Sequence, residues 1–170
     1  MTRAFLLLLA ALAVVHGEEI KPPFGLPWGY SKEDLAPLLT KANAKVVEKR
    51  VVSPREVWTV EGLVQKHLKR TLFYFRGDEL DEIEMQYQDA AWIDSDYRNF
   101  LNQLRMSLES KYGEGRLVAR SKTTKGEIMQ SMTGYEWVQS RSAVLLIYFS
   151  AETTAKVYRV VSLHYKSMPR

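Results

Sequence analysis

The chain of 170 residues contains no cysteine and only three histidines. Without cysteine, thiol catalysis, disulfide exchange and thiolate metal sites are excluded. A zinc site would depend on carboxylates from unrelated loops, so we predict no metal site. The sequence also lacks a glycine-rich phosphate-binding loop and a Gly-x-Ser-x-Gly motif. These absences predict a protein that is not an enzyme, with no catalytic residue and no cofactor.

Charge of one sign is never concentrated in the sequence. The 24 basic and 20 acidic residues are interspersed along the chain. No block of like charges is present that would indicate a nucleic-acid-binding arm or a polybasic membrane tether. We therefore expect no nucleic-acid partner.

Residues 1–17 have the pattern of a secretory signal peptide. Arg3 is followed by an almost wholly apolar run from Ala4 to Val15, and then by Gly17 ahead of Glu18. The alternative, an N-terminal membrane anchor, would need roughly 20 apolar residues. We expect cleavage after Gly17, a periplasmic or secreted location and no stable membrane anchor. An exported chain without disulfides fits a bacterial periplasmic protein best.

The composition of residues 18–30 predicts an extended arm that lies over the domain. This segment is rich in proline and glycine, so it cannot propagate a helix or a central strand. The aromatic residues Trp28 and Tyr30 would pack on the domain; the alternative is a binding loop. Residues 31–170 then form a single domain, a usual length for one hydrophobic core.

Hydrophobic periodicity predicts two helices and several strands. The first helix, 31–42, is capped by Ser31 and kinked or divided by Pro37, and the second, 94–112, ends at Gly113. Strands are predicted at 45–52, 56–60, 64–75, 80–87, 117–121, 127–133, 135–138, 143–149 and 157–165. Because the strands follow one another too closely for parallel crossovers, the class is α+β, with helices packed on one face of an antiparallel sheet.

The two halves of the domain resemble each other. Each begins with a helix, continues into strands and carries one tryptophan on a strand, Trp58 or Trp137. This similarity predicts two tandem helix-plus-four-strand units, with pseudo-repeats at 31–93 and 94–170. The alternative is that any two hairpins share alternating polarity and aromatic residues.

The segment from Gly25 to Leu35 reads Gly-Leu-Pro-Trp-Gly-Tyr-Ser-Lys-Glu-Asp-Leu. With the order of the elements, it resembles small bacterial envelope domains of the SmpA type and of the β-lactamase-inhibitory-protein type. Both families place helices against one face of an antiparallel sheet, and the second repeats the unit. This chain lacks the lipid-bearing cysteine of the first family and the disulfides of the second. The resemblance implies binding of a protein in the periplasm.

The remaining candidates are polar or aromatic. His67 and His164 lie in strand patterns and are predicted to face solvent, and the acidic residues of 78–84 are predicted to form a solvated hairpin face. Four aromatic residues are candidate binding residues: Trp28, Tyr30, Trp92 and Tyr135. We therefore expect a non-catalytic periplasmic accessory protein that binds an envelope protein or peptide. The alternative is a carrier of a small apolar ligand held between sheet and helix.

Overall fold

The computed structural model describes residues 19–168, so the predicted signal peptide lies outside the described residues. This part of the chain is an α+β domain with two α-helices and one antiparallel sheet of eight strands. The helices are α1 (Lys32–Lys41) and α2 (Asp94–Tyr112). The strands are β1 (Lys45–Val52), β2 (Arg55–Glu61), β3 (Leu68–Arg76), β4 (Glu79–Tyr87), β5 (Arg116–Lys125), β6 (Ile128–Gln139), β7 (Ser142–Glu152) and β8 (Val157–Ser167).

The strand order in the sheet is β1-β2-β3-β4-β8-β7-β6-β5. Strands β1 to β4 and strands β5 to β8 each follow one another as hairpins. The two groups meet where β4 pairs with β8, with Met85 opposite Leu163. The last strand of each group therefore lies at the centre of the sheet, and β1 and β5 form its edges.

The helix ends follow from local hydrogen bonds. The Ser31 hydroxyl accepts the backbone N–H of Asp34 at the start of α1. At the end of α2, Gly113 adopts a φ of 83°, which glycine adopts without strain. Pro37 was predicted to kink or divide this helix; it does not divide it, because α1 continues through this residue. Only the hydrogen bond to the carbonyl of Glu33 in the first turn is lost, and packing of α1 on the core offsets it.

Two predicted strand boundaries are also wrong. The third strand begins at Leu68 rather than at residue 64, because His67 adopts a positive φ angle of 61° that interrupts an extended chain. Strand β6 is continuous, whereas two strands were predicted on either side of Gly134. A Cβ atom at Gly134 would lie 3.3 Å from the Cβ of Ala119. This glycine therefore permits the close approach of β5 and does not form a turn.

One hydrophobic core joins both helices to the sheet. The helices contribute Leu35, Leu39, Tyr97, Leu101 and Leu108, and the strands contribute residues such as Phe73, Met85, Leu146 and Leu163. The segment 19–30 contributes Ile20 and Leu26 to the same core. Ile20 is fixed by its backbone, since its N–H donates to Gln139 Oε1 (2.6 Å) and its carbonyl accepts from Ser142 Oγ (3.0 Å).

Gly115 has no room for a side chain. A Cβ atom there would lie 2.4 Å from Cζ2 of Trp137, a buried ring whose Nε1 donates to the carbonyl of Gly113. We expect Gly115→Ala to lower the free energy of unfolding by about 2 kcal/mol, because the ring must shift in a packed core. Urea unfolding followed by tryptophan fluorescence measures this. The neighbouring exposed variant Glu114→Ala should unfold like the wild type, and equal midpoints for the two variants would contradict the packing described.

Candidate functional site

Charged side chains meet at the centre of the sheet where β4 pairs with β8. Glu82 Oε1 lies 2.9 Å from Nδ1 of His164 and 3.5 Å from Nζ of Lys166. Arg55, from β2, donates through Nη1 to Glu82 Oε2 at 2.6 Å. The Glu82 side chain is only 5% exposed. A buried carboxylate is thus surrounded by three donors or cations from β2 and β8.

Glu84 extends this arrangement along β4. The hydroxyl of Tyr74 donates to Glu84 Oε2 (2.7 Å), and Nε2 of Gln86 donates to Oε1 (2.5 Å). Because alternate residues of a strand project from the same face, Glu82 and Glu84 lie opposite the core residues Ile83 and Met85. We call the side of the sheet that carries Glu82, Glu84 and His164 the far face.

The protonation states of the network follow from its contacts. Burial acts to raise the pKa of Glu82, but hydrogen bonds from His164 and Arg55 outweigh it and lower the pKa to about 2. Burial, together with the nearby Glu84, raises the pKa of Tyr74. At neutral pH, Glu82 is therefore ionised and the Tyr74 phenol remains a donor.

Ser162, His164 and Glu82 are connected in the order of an acyl-transfer triad. Ser162 Oγ lies 3.1 Å from Nε2 of His164, whose Nδ1 contacts Glu82. However, Ser162 is buried, and both neighbouring strands pair with its own strand. Backbone N–H groups in such a sheet lie in its plane, so none points at a substrate above the serine. Five clefts of about 200 to 820 Å³ on the described surface are lined by other residues.

These contacts correct two predictions. Glu82 and Glu84 do not belong to a solvated hairpin face, because both are buried. His67 does not face solvent from a strand: it lies in the turn before β3, and its ring centroid is 4.4 Å from that of Trp92. His164 does lie on a strand, but its half-buried side chain is held between carboxylates. Sequence spacing alone did not reveal these pairings.

An apolar strip lies beside the network on the far face. It comprises Met132, Leu145, Ile147, Phe149 and Tyr158, from β6, β7 and β8. The strip adjoins the network directly, since Leu145 is the cross-strand partner of His164. Met132 and Tyr158 are 36% and 41% exposed, and the three β7 residues are half-buried. The strip therefore presents apolar surface to solvent next to fixed polar groups.

The predicted binding residues of the arm lie near the ends of strands. Trp28 is half-buried and lines a cleft of about 820 Å³ together with Arg141 and Met168. Tyr30 is also half-buried, and its carbonyl accepts the backbone N–H of Leu80 at 3.0 Å. These two residues are thus placed by the contact of the arm with the start of β4.

The other two predicted binding residues lie elsewhere. Trp92 packs against His67, Tyr97 and Phe100 and also lines a cleft of about 470 Å³. Tyr135 is buried beneath the guanidinium of Arg105, which lies 4.7 Å from the ring centroid. Trp28, Trp92 and Tyr135 line different clefts, so the structure does not bring the predicted residues together into one site.

The two edge strands carry features that discourage pairing with another chain. Strand β1 has an irregularity between Val46 and Glu48, and β5 has one between Leu117 and Ala119. Both strands are rich in exposed lysine and arginine. Natural sheets use bulges and charges of this kind to prevent edge-to-edge association. The edges are therefore weaker candidates for a binding surface than the far face.

Comparison with protein-family models, with curated proteins and with solved structures yields no match for this chain. Between residues 19 and 168, neither helix has the length and apolar character required to span a membrane. Within the same residues, no three histidine or acidic side chains are grouped so that they could hold a metal ion.

The ionised state of Glu82 predicts a pH dependence of stability. A carboxylate whose pKa falls from about 4.5 to about 2 on folding stabilises the protein above pH 4.5, and this contribution is lost as the pH falls to 2. It amounts to about 3 kcal/mol. In Glu82→Gln the contribution is absent, so its stability deficit relative to wild type should shrink between pH 5 and pH 2.

Urea unfolding at several pH values measures this deficit. Glu79→Gln, an exposed change on the same strand, serves as the control and should parallel the wild type across the range. A deficit of Glu82→Gln that stays constant from pH 5 to pH 2 would show that the network does not hold Glu82 ionised.

Proposed function

We propose that the domain consists of two tandem helix-plus-four-strand units with both helices on one face of the sheet. The strand order supports this, because it is the same in both directions outward from the β4–β8 pair. A two-fold rotation normal to the sheet would relate antiparallel β4 and β8 and keep both helices on the same side. The buried residues of α1 and α2 share one core with strand residues that alternate with far-face residues. This is the arrangement that the resemblance to the β-lactamase-inhibitory-protein type implies.

We propose further that the chain is an exported, non-catalytic protein that binds a protein or peptide partner in the periplasm on its far face. The observation that carries this proposal is the apolar strip beside the ion network. Protein interfaces combine an apolar, aromatic centre with a polar surround. Phe149 and Tyr158, whose ring centroids are 6.3 Å apart, provide such a centre. The partner accordingly presents apolar side chains to the strip.

The ion network supports binding because its members are already fixed. Glu82 and Glu84 each accept hydrogen bonds within the sheet, so a partner does not need to satisfy them. Side chains that are immobilised before binding lose little entropy when the partner arrives. The far face is thus a preorganised surface rather than a flexible one.

The alternative function, a carrier of a small apolar ligand, has less support. Such a carrier needs an enclosed apolar space between sheet and helices. Val144, Leu146 and Val161 are fully buried on the core side of the sheet, and Leu101 of α2 belongs to the same core. Close packing of these side chains favours a filled interior over an enclosed ligand space.

The non-catalytic part of the proposal is tested at Ser162. A fluorophosphonate probe labels serines that are activated by histidine and can reach a substrate. Because Ser162 is buried and has no oxyanion donors above it, we expect no labelling of the folded wild type. Labelling that disappears in Ser162→Ala but persists in the control Ser131→Ala would contradict the proposal and indicate a hydrolase.

The binding part is tested by photo-crosslinking in living cells that make the protein. We expect a photoreactive phenylalanine analogue at Phe149 to give a discrete crosslinked product, because this side chain lies in the proposed interface. The same analogue at Met106, which is 69% exposed on α2, should not give it. Ile147→Glu should abolish the product, since it places a charge in the strip.

The matched control for Ile147→Glu is Val51→Glu, which adds the same charge at an exposed position of β1. This variant should leave the crosslinked product unchanged. Two outcomes would contradict binding of the partner at the far face. One is an equal yield of crosslinked product from positions 149 and 106, and the other is a crosslinked product that Ile147→Glu does not reduce.

A further inference from the structure

A groove runs between α2 and strands β5 and β6. It consists of two clefts of about 450 and 500 Å³ that share Arg120 and Tyr135 in their linings. The two clefts adjoin at these residues, and we refer to them together as the α2–β5 groove. Of the apolar strip, only Met132 also lines this groove.

Cationic side chains line both walls of the groove. Arg98 and Arg105 lie seven residues apart on α2, which places them on the same side of the helix. Arg120 and Lys122 lie two residues apart on β5 and therefore project from the same face of the sheet. Their cross-strand partners are Thr133 and Ser131, which line the same cleft.

Two cationic side chains that β5 contributes to the groove are not neutralised by acidic partners in the described part of the chain. Arg98, Arg105 and Arg116 form ion pairs with Asp94, Glu109 and Glu136, respectively. Within residues 19–168, by contrast, neither Arg120 nor Lys122 has an ion-pair partner. Two unpaired cations on the same face of β5 create a local positive potential that attracts anionic groups.

The composition of the groove indicates which anion it suits. Its one end is lined by cations and neutral polar groups, whereas Glu109 and Glu114 line the other. The acidic side chains of a bound segment are therefore attracted to the first end of the groove. Leu117, which is 45% exposed, adds apolar surface to the lining of the second end. An arginine guanidinium also matches the carboxylate in a bidentate geometry.

We infer that the α2–β5 groove binds an acidic segment of an extended polypeptide. The inference rests on the proposed function, in which the partner is a protein or peptide, and it names the chemistry of one part of that partner. From Arg98 to Glu109 the helix rises about 16 Å. At about 3.3 Å per residue, this length accommodates roughly five extended residues.

The experiment measures binding of a fluorescein-labelled pentaglutamate peptide to the protein by fluorescence anisotropy at low ionic strength. The wild type should bind this peptide and should not bind pentaglutamine. The double variant Arg120→Glu/Lys122→Glu should bind pentaglutamate about tenfold or more weakly, because the unpaired cations have been reversed. The matched control, Lys45→Glu/Arg50→Glu, makes the same change of net charge on the other edge strand and should bind like the wild type.

The result that would overturn the inference is an equal loss of affinity in both double variants, since this would reflect net charge alone. Absence of pentaglutamate binding to the wild type would overturn it as well. A polyphosphate of equal charge that binds more tightly than the peptide would show that the groove does not select polypeptide. Circular dichroism of both double variants verifies that the changes, all at exposed edge positions, leave the fold intact.

The variant Ile147→Glu separates this inference from the proposed function. It should lose the far-face crosslink and keep wild-type affinity for pentaglutamate, because Ile147 does not line the groove. Conversely, Arg120→Glu/Lys122→Glu should weaken the crosslink at position 149 without abolishing it, because the apolar strip is intact. Loss of pentaglutamate binding in Ile147→Glu would place the acidic segment on the far face. It would contradict binding of that segment in the α2–β5 groove.

Discussion

The pairing of β4 with β8 is the interaction on which the rest of the structure depends. It joins two four-strand groups into one sheet and brings Met85 against Leu163 on the core side. On the other side it brings Glu82 against His164 and Lys166. Removing one member of such a buried pair would leave an uncompensated charge. The β4–β8 junction is therefore stabilised by apolar contacts on one face of the sheet and by ion pairs on the other.

This junction also separates two kinds of surface. On the far face, fixed polar side chains lie next to the apolar strip, and we propose this face as the surface for a protein partner. Around the β6 strand, at Met132, the strip borders the α2–β5 groove with its unpaired Arg120 and Lys122. A partner with an apolar patch and an acidic segment could engage both surfaces without disturbing the core. Neither surface requires a catalytic group or a cofactor in this account.

The sequence predicted the helices and strands better than the contacts between them. The second helix has the predicted bounds, 94–112, because its apolar residues recur at helical spacing and Gly113 ends it. The burial of Glu82 was not predicted, because its partner His164 lies 82 residues away and only the strand order brings them together. Gly134 was predicted to separate two strands, whereas it lies within β6 and permits the close approach of β5. The four predicted aromatic binding residues do not lie together in the structure. The sequence did not predict this, because it does not reveal which strands are neighbours in the sheet.

Native-state hydrogen exchange tests the central claim most directly. If β4 and β8 are the joined centre of one sheet, their amide protons should exchange only through global unfolding and be the slowest in the protein. The amides of β1 and β5, at the edges, should exchange much faster through local opening. Exchange of the β4 and β8 amides at the rates of the edge strands, or independent opening of the two four-strand groups, would contradict the account.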